Sequence, residues 1–128
     1  MVTIKTYDHL DQEKLFDLIR DEGAEWEAYF LTRKEAYLKT LSSSLVYLLF
    51  EDDLCIGYIR VRDDDSFGLY VYDLLVRKSH RGKNYGKMMF EHVKKNFPSD
   101  DLYVMSDVDP YYESLGFEKI GSIFKVNV

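Results

Sequence analysis

A chain of 128 residues with 46% hydrophobic and 31% charged side chains can bury one core and is too apolar to be disordered throughout. Its net charge of −6 argues against nonspecific nucleic-acid binding as the main task, so no nucleic-acid partner is expected. One cysteine permits no internal disulfide, and the longest wholly apolar stretch, residues 45–50, is too short to span a bilayer. These features imply a single domain over residues 1–128, cytoplasmic, with no membrane partner.

Residues 2–7 alternate apolar and polar and read as a first strand. Asp11 is placed to cap a helix in which Leu15, Leu18 and Ile19 share a face, and Gly23 to end it. Residues 24–31 hold Trp26, Tyr29 and Phe30 among Glu25 and Glu27, fit neither period, and read as an irregular connector. Thr32-Arg33-Lys34-Glu35 has the form of a capping box opening a second helix to about residue 41. Three strands follow over residues 45–50, 55–62 and 67–76. The breaks between them, Asp52-Asp53 and Asp63-Asp64-Asp65-Ser66, are short enough to make neighbours antiparallel. Cys55, between Leu54 and Ile56, reads as a core thiol.

The third of these strands leads into Arg81-Gly82-Lys83-Asn84-Tyr85-Gly86 and then a helix over residues 85–97. Tyr85, Met89, Val93 and Phe97 share its buried face, while Lys94, Lys95 and Pro98 mark its end. A basic loop with two glycines at a helix N-terminus is an anion site, because its backbone N–H groups point outward and glycine admits a phosphate closely. Neither G-x-G-x-x-G nor G-x-x-x-x-G-K-[ST] is present, so the dinucleotide and P-loop readings are excluded.

Residues 102–105 read as a strand parallel to 67–76, reached by the right-handed crossover that the helix provides. Asp109-Pro110 starts a short helix that Gly116 ends. Residues 117–120 and 122–128, with Gly121 at the turn, complete a mixed, mostly antiparallel α/β (α+β) sheet of about seven strands flanked by about four helices.

Two motifs carry a resemblance. Arg81-x-x-Asn84-x-Gly86 after Val76 resembles the pyrophosphate loop of the GNAT N-acetyltransferase superfamily, with Asn84 where the family usually has Gly. Asn tolerates left-handed backbone angles better than other residues with a side chain, so the loop shape can survive. Tyr112, four residues before Gly116-Phe117, resembles the family's carboxy-terminal signature.

The resemblance implies an acetyl-CoA-dependent N-acetyltransferase, acting without a metal by direct attack of a primary amine on the thioester. It implies that the backbone of Leu74, Leu75 and Val76 pairs with the pantetheine arm. Residues Arg81, Gly82, Lys83, Asn84, Tyr85 and Gly86 would hold the pyrophosphate, and Tyr112 would protonate the departing thiolate, with Tyr111 a packing neighbour. The family's base or water-holding positions correspond to Tyr70 and Tyr72, which are not carboxylates and would hold a water or line the acceptor pocket. Asp73 is the only carboxylate of that strand. Strict alternation sends it to the face opposite Tyr70 and Tyr72, whereas a bulge would re-aim it; a buried carboxylate bonding backbone N–H groups is the alternative. Trp26 lies where the family builds acceptor pockets, and a core tryptophan is its other description.

A small-molecule amine is the favoured acceptor, with a peptide or protein as the alternative, and a homodimer is compatible. The competing class is a GNAT-fold sensor or partner module that binds CoA thioesters without turnover.

Overall fold

Five strands form one sheet in the order β1-β2-β3-β4-β5, in a computed structural model that describes residues 1–128. β1 (Val2–Thr6), β2 (Leu45–Glu51), β3 (Leu54–Asp63) and β4 (Leu69–Val76) are antiparallel neighbours, and β5 (Leu102–Val104) runs parallel to β4. α1 (Gln12–Glu22) and α2 (Lys34–Ser42) lie between β1 and β2. α3 (Tyr85–Asn96) makes the crossover from β4 to β5, and α4 (Asp109–Ser114) follows β5. No helix is long and apolar enough to cross a membrane.

Apolar side chains cover both faces of the sheet, which is why β2 is a nearly unbroken buried run instead of an alternating one. On one face Leu15, Phe16, Leu18 and Ile19 of α1 and Tyr37 and Leu41 of α2 pack on Leu48, Cys55, Tyr58 and Leu75. On the other face Met89, Phe90 and Val93 of α3 pack on Leu49, Ile56, Ile59 and Val71. Cys55 is a core thiol, and burial pushes its pKa up to about 12, so it stays protonated.

One irregularity organises β4. Arg60 pairs with Asp73 but Val61 pairs with Val71, so Tyr72 is an extra residue on β4. The bulge reverses the side-chain parity. Leu69 and Val71 point toward α3, but Asp73 does not continue that series: Leu74 and Val76 take the α3 face, and Leu75 packs on the α1–α2 side.

Several local expectations are corrected. Residues 117–120 and 122–128 are not strands, so the sheet has five strands and not about seven. Ile120, Ile123, Phe124 and Val126 are exposed, and β5 offers a receiving edge of only three residues. An alternating pattern records how a segment can pair and does not supply the edge to pair with. Asp11 holds the N-cap position of α1 as expected but makes no side-chain cap there; its carboxylate accepts from the Asp8 N–H at 3.0 Å, in a capping box around the 3-10 turn His9–Asp11 in which the Asp8 carboxylate accepts from the Leu10 N–H. The capping box at residues 32–35 does not form; Arg33 is the N-cap of α2 and makes no side-chain cap. The connector is not irregular but a 3-10 turn (Ala24–Trp26) followed by a π-helical turn (Ala28–Thr32).

Gly57 sits where the sheet meets α3. A Cβ there would come 3.1 Å from Met89 Cε and 3.2 Å from the Leu75 carbonyl oxygen, and the second of these is backbone that cannot swing aside. Gly57→Ala is expected to lower stability by about 1–3 kcal/mol in urea unfolding. Gly121→Ala, where nothing lies within 4 Å, serves as the near-neutral comparison.

Candidate active site

Beyond the end of β4 the chain is anchored by two arginines. Arg77 is buried and donates from Nε and Nη2 to the Cys55 carbonyl at 3.0 and 2.9 Å, with Asp17 2.9 Å from Nη2. After a 3-10 turn (Lys78–His80), Arg81 Nε donates to the Val76 carbonyl at 3.0 Å and its Nη2 pairs with Glu22. His80 is not a solvated loop residue: its ring lies 3.0 Å from the Glu51 carboxylate and is only 12% exposed. That hydrogen bond holds the Glu51 carboxyl below its usual pKa.

The loop then turns into α3. Gly82 has φ 79° and Asn84 has φ 63°, ψ 23°, so Asn84 adopts the left-handed angles that the turn demands. The first bond of the helix runs from the Met88 N–H to the Asn84 carbonyl at 3.0 Å. No backbone or side-chain acceptor in the protein meets the N–H groups from Gly82 through Lys87, and the first turn carries no acidic residue. A continuous run of outward N–H groups in a basic loop suits a pyrophosphate.

Beside this loop, β4 is open. Its pairing with β5 covers only Leu69–Val71, and the last bond across is the Met105 N–H to the Val71 carbonyl at 2.9 Å. From Tyr72 to Val76 that side of the strand has no strand partner, so an extended ligand can lie along Leu74 and Leu75. The Val76 carbonyl is already taken by Arg81.

α4 follows β5 and carries two tyrosines, one of which reaches the loop. A Cβ on Gly86 would fall 2.2 Å from the Tyr111 hydroxyl and 3.7 Å from Leu74 Cδ2, so Tyr111 reaches the first turn of α3. Tyr112 is half-buried, edge-on to Phe90 at 6.1 Å and stacked on Phe117 at 6.3 Å. Burial first, with the Asp107 charge adding to it, pushes its pKa up to about 12. Both phenols therefore hold their protons at neutral pH.

On the α1–α2 face, a polar network is set into the core. Asp73 is 4% exposed, and its carboxylate accepts from the Tyr29 hydroxyl (2.8 Å), the Tyr58 hydroxyl (2.9 Å) and Arg60 Nε (2.6 Å). Tyr37 donates in turn to Tyr58 at 2.9 Å. Burial and the adjoining Asp73 charge raise the Tyr29 phenol well above its ordinary pKa. Trp26 lies edge-on to Tyr29 at 4.8 Å, and the Arg60 guanidinium sits 5.5 Å from the Tyr72 ring.

The structure thus gathers Trp26, Tyr72 and Asp73 through Tyr29 and Arg60. Tyr70 is elsewhere, stacked on Tyr103 at 5.1 Å. It lines a cavity of about 1000 Å³ between β5 and residues 117–123, with Tyr112 on the same wall. Asp73 does bond as a buried carboxylate, but its donors are side chains and not backbone N–H groups. Sequence reading missed Tyr29, Tyr37, Tyr58, Arg60 and the reach of Tyr111. One signal for Arg60 and Tyr58 was on the page: polar groups inside an apolar strand call for a buried partner.

Two predictions follow from the loop. Gly86→Ala displaces the Tyr111 hydroxyl, whereas in a Tyr111→Phe background the nearest ring atom, Cζ, would be 3.4 Å away and tolerable. The alanine is expected to destabilise the parent and to stabilise the phenylalanine variant by up to about 1 kcal/mol, the difference in helix propensity. A thermal-unfolding double-mutant cycle with no coupling would refute the contact. Asn84→Gly is expected to leave acetyl-CoA affinity unchanged or improved in calorimetric titration, because the backbone already holds angles glycine prefers. A large loss would reveal a ligand contact by the Asn84 side chain.

Known structures share this architecture. A GNAT-family acetyltransferase from Streptococcus pneumoniae is 23% identical, with a TM-score of 0.77 over 99% of this chain and 98% of that one. An aminoglycoside acetyltransferase from an uncultured soil metagenomic sample is 17% identical, with a TM-score of 0.76 over 100% and 99%. The PaiA N-acetyltransferase of Thermoplasma acidophilum, solved with coenzyme A, is 17% identical, with a TM-score of 0.72 over 91% and 87%. At these identities the likeness establishes the fold. Residues 8–128 match the family model described as an acetyltransferase (GNAT) domain, nearly the whole chain. The chain belongs to the GNAT acetyltransferase family, N-acetyltransferases that use acetyl-CoA.

Proposed function

We propose that residues 1–128 form one catalytic domain that acetylates the amino group of a small molecule. The observation that carries this reading is the unbroken run of unpaired N–H groups from Gly82 to Lys87 beside an open β4 edge. Residues 81–86 hold the pyrophosphate, and the backbone of Leu74 and Leu75 pairs with the pantetheine arm. When bound, acetyl-CoA supplies an acetyl thioester, and the chain supplies alignment and hydrogen bonds.

Tyr112 is the donor to the departing sulfur, by its match to the family signature. A thiol has an ordinary pKa near ~8.5, well below about 12, so the proton stays on the phenol and the hydroxyl stabilises the thiolate as a hydrogen-bond donor. Tyr111, touching the first turn of α3, shapes the wall along which the cofactor arm lies. Asp73 is assigned a positioning role, since it is buried and its carboxylate bonds Tyr29, Tyr58 and Arg60. The amine's proton leaves through water at the exposed Tyr72 end of the site.

A small-molecule acceptor is supported by the size of the acceptor-side pocket, about 230 Å³. It is also supported by similar structures that are aminoglycoside acetyltransferases by name. Thiol release from acetyl-CoA over a panel of amines tests the reaction itself; none with any amine would leave a binding module. With a turned-over amine, Tyr112→Phe is expected to lower kcat by about 10²-fold at unchanged acetyl-CoA affinity. Tyr111→Phe should act mainly on the KM for acetyl-CoA. Equal kcat for Tyr112→Phe and the parent, with chemistry rate-limiting, would reassign Tyr112 to packing.

A further inference from the structure

The pocket on the α1–α2 face lies between the π-helical turn, the start of α2 and β3, and its polar lining is Tyr29, Arg33, Tyr37, Thr40 and Arg60. We propose that it binds a carboxylate of the acceptor, so that the substrate is an amine that also carries an acid group; this deepens the transferase reading and rests on it.

Charge decides the class. Two guanidinium groups and no carboxylate line the pocket; Asp73, behind it, is buried and already accepts from Tyr29, Tyr58 and Arg60, and Asp107 lies outside the lining and acts on Tyr29 through its charge. Asp73 answers Arg60 directly, which leaves Arg33 as the charge on the pocket wall without an ion-pair partner. Arg33 makes no ion pair or side-chain hydrogen bond within the protein, and Glu27 and Glu35 do not line the pocket. The outer edge of Arg60 has only a long contact, 3.4 Å from Nη1 to Ser44 Oγ. Tyr29 has its proton committed to Asp73, so Arg33, Arg60 and the Thr40 hydroxyl are the donors left over. Guanidinium groups match a carboxylate with paired N–H bonds and repel an ammonium.

Position ties the pocket to the chemistry. Arg60 also lies 5.5 Å from the Tyr72 ring, and Tyr72 is the first residue of β4 beyond its pairing with β5. A carboxylate held at Arg33 and Arg60 therefore directs the rest of a small acceptor toward the open edge where the thioester lies. The surrounding protein has a net charge of −6, so the local positive pocket selects an acid group against the general field.

The test uses matched acceptors that differ only in the acid group: lysine and cadaverine, ornithine and putrescine, 6-aminohexanoate and pentylamine. CoA release is measured with each on the parent, Arg33→Ala and Arg33→Lys. The acid member of a pair should give the higher kcat/KM by about tenfold or more. Arg33→Ala should raise KM for the acid member about tenfold at similar kcat, leave its partner unchanged, and be partly rescued by Arg33→Lys. Equal or better use of the diamines or of pentylamine overturns the proposal alone, as does an Arg33→Ala effect of equal size on both members. CoA release with another amine of the panel but with none of the six overturns this inference alone, whereas release with no amine at all removes the transferase reading and this inference with it.

Discussion

The extra residue at Tyr72 is the constraint on which both halves of the site depend. A strand without it would carry Leu69, Val71, Asp73 and Leu75 on one face and would bury a carboxylate against the apolar side of α3. With it, Asp73 meets Tyr29, Tyr58 and Arg60 on the opposite face, and Leu74 takes its place toward α3. The same stretch of β4 is where pairing with β5 stops, immediately after Val71. One inserted residue thus separates a strand that stabilises the sheet from a strand that is available to a ligand.

In the proposed site, recognition on the cofactor side rests on main-chain groups, which explains how the loop accommodates Asn84. Backbone N–H groups are the same in every residue, so the side chain matters only for the angles it permits. Arg77 and Arg81 then do structural work: one ties the chain to the Cys55 carbonyl and the other to the Val76 carbonyl. Arg81 is a basic loop residue whose guanidinium is turned back into the protein, paired with Glu22 and not projecting outward. The positive field that remains near the phosphate site comes chiefly from exposed Lys83 and from the helix terminus itself.

Much of this was legible in the chain because it is local. The order β1 to β4, the crossover through α3, the parallel β5 and the turn at Asn84 all follow from periodicity and turn chemistry within a few residues. The Asp73 network was not legible, since Tyr29 and Asp73 are 44 positions apart in sequence and only folding brings them together. Parity arguments also fail at a bulge, because nothing in Val71-Tyr72-Asp73 itself announces an extra residue. The last segment misled for the converse reason. Its alternation is genuine, but exposure of Ile120, Phe124 and Val126 shows the pattern without the partner.

The satisfied state of Asp73 bears on how the acceptor can be activated. Its carboxylate is buried and receives three hydrogen bonds, one from a guanidinium, and such bonds are strong in a low-dielectric site. Its consequence is positional: it orients Tyr29 and holds Arg60 beside Tyr72, and so fixes the shape and sign of the acceptor pocket. On the proposed reading, an amine entering there keeps its own proton until solvent removes it, which ties reactivity to the neutral fraction of the acceptor. Amines of lower pKa gain from this, because a lysine-like amine, with a reference pKa near ~10.4, offers only a small neutral fraction at pH 7.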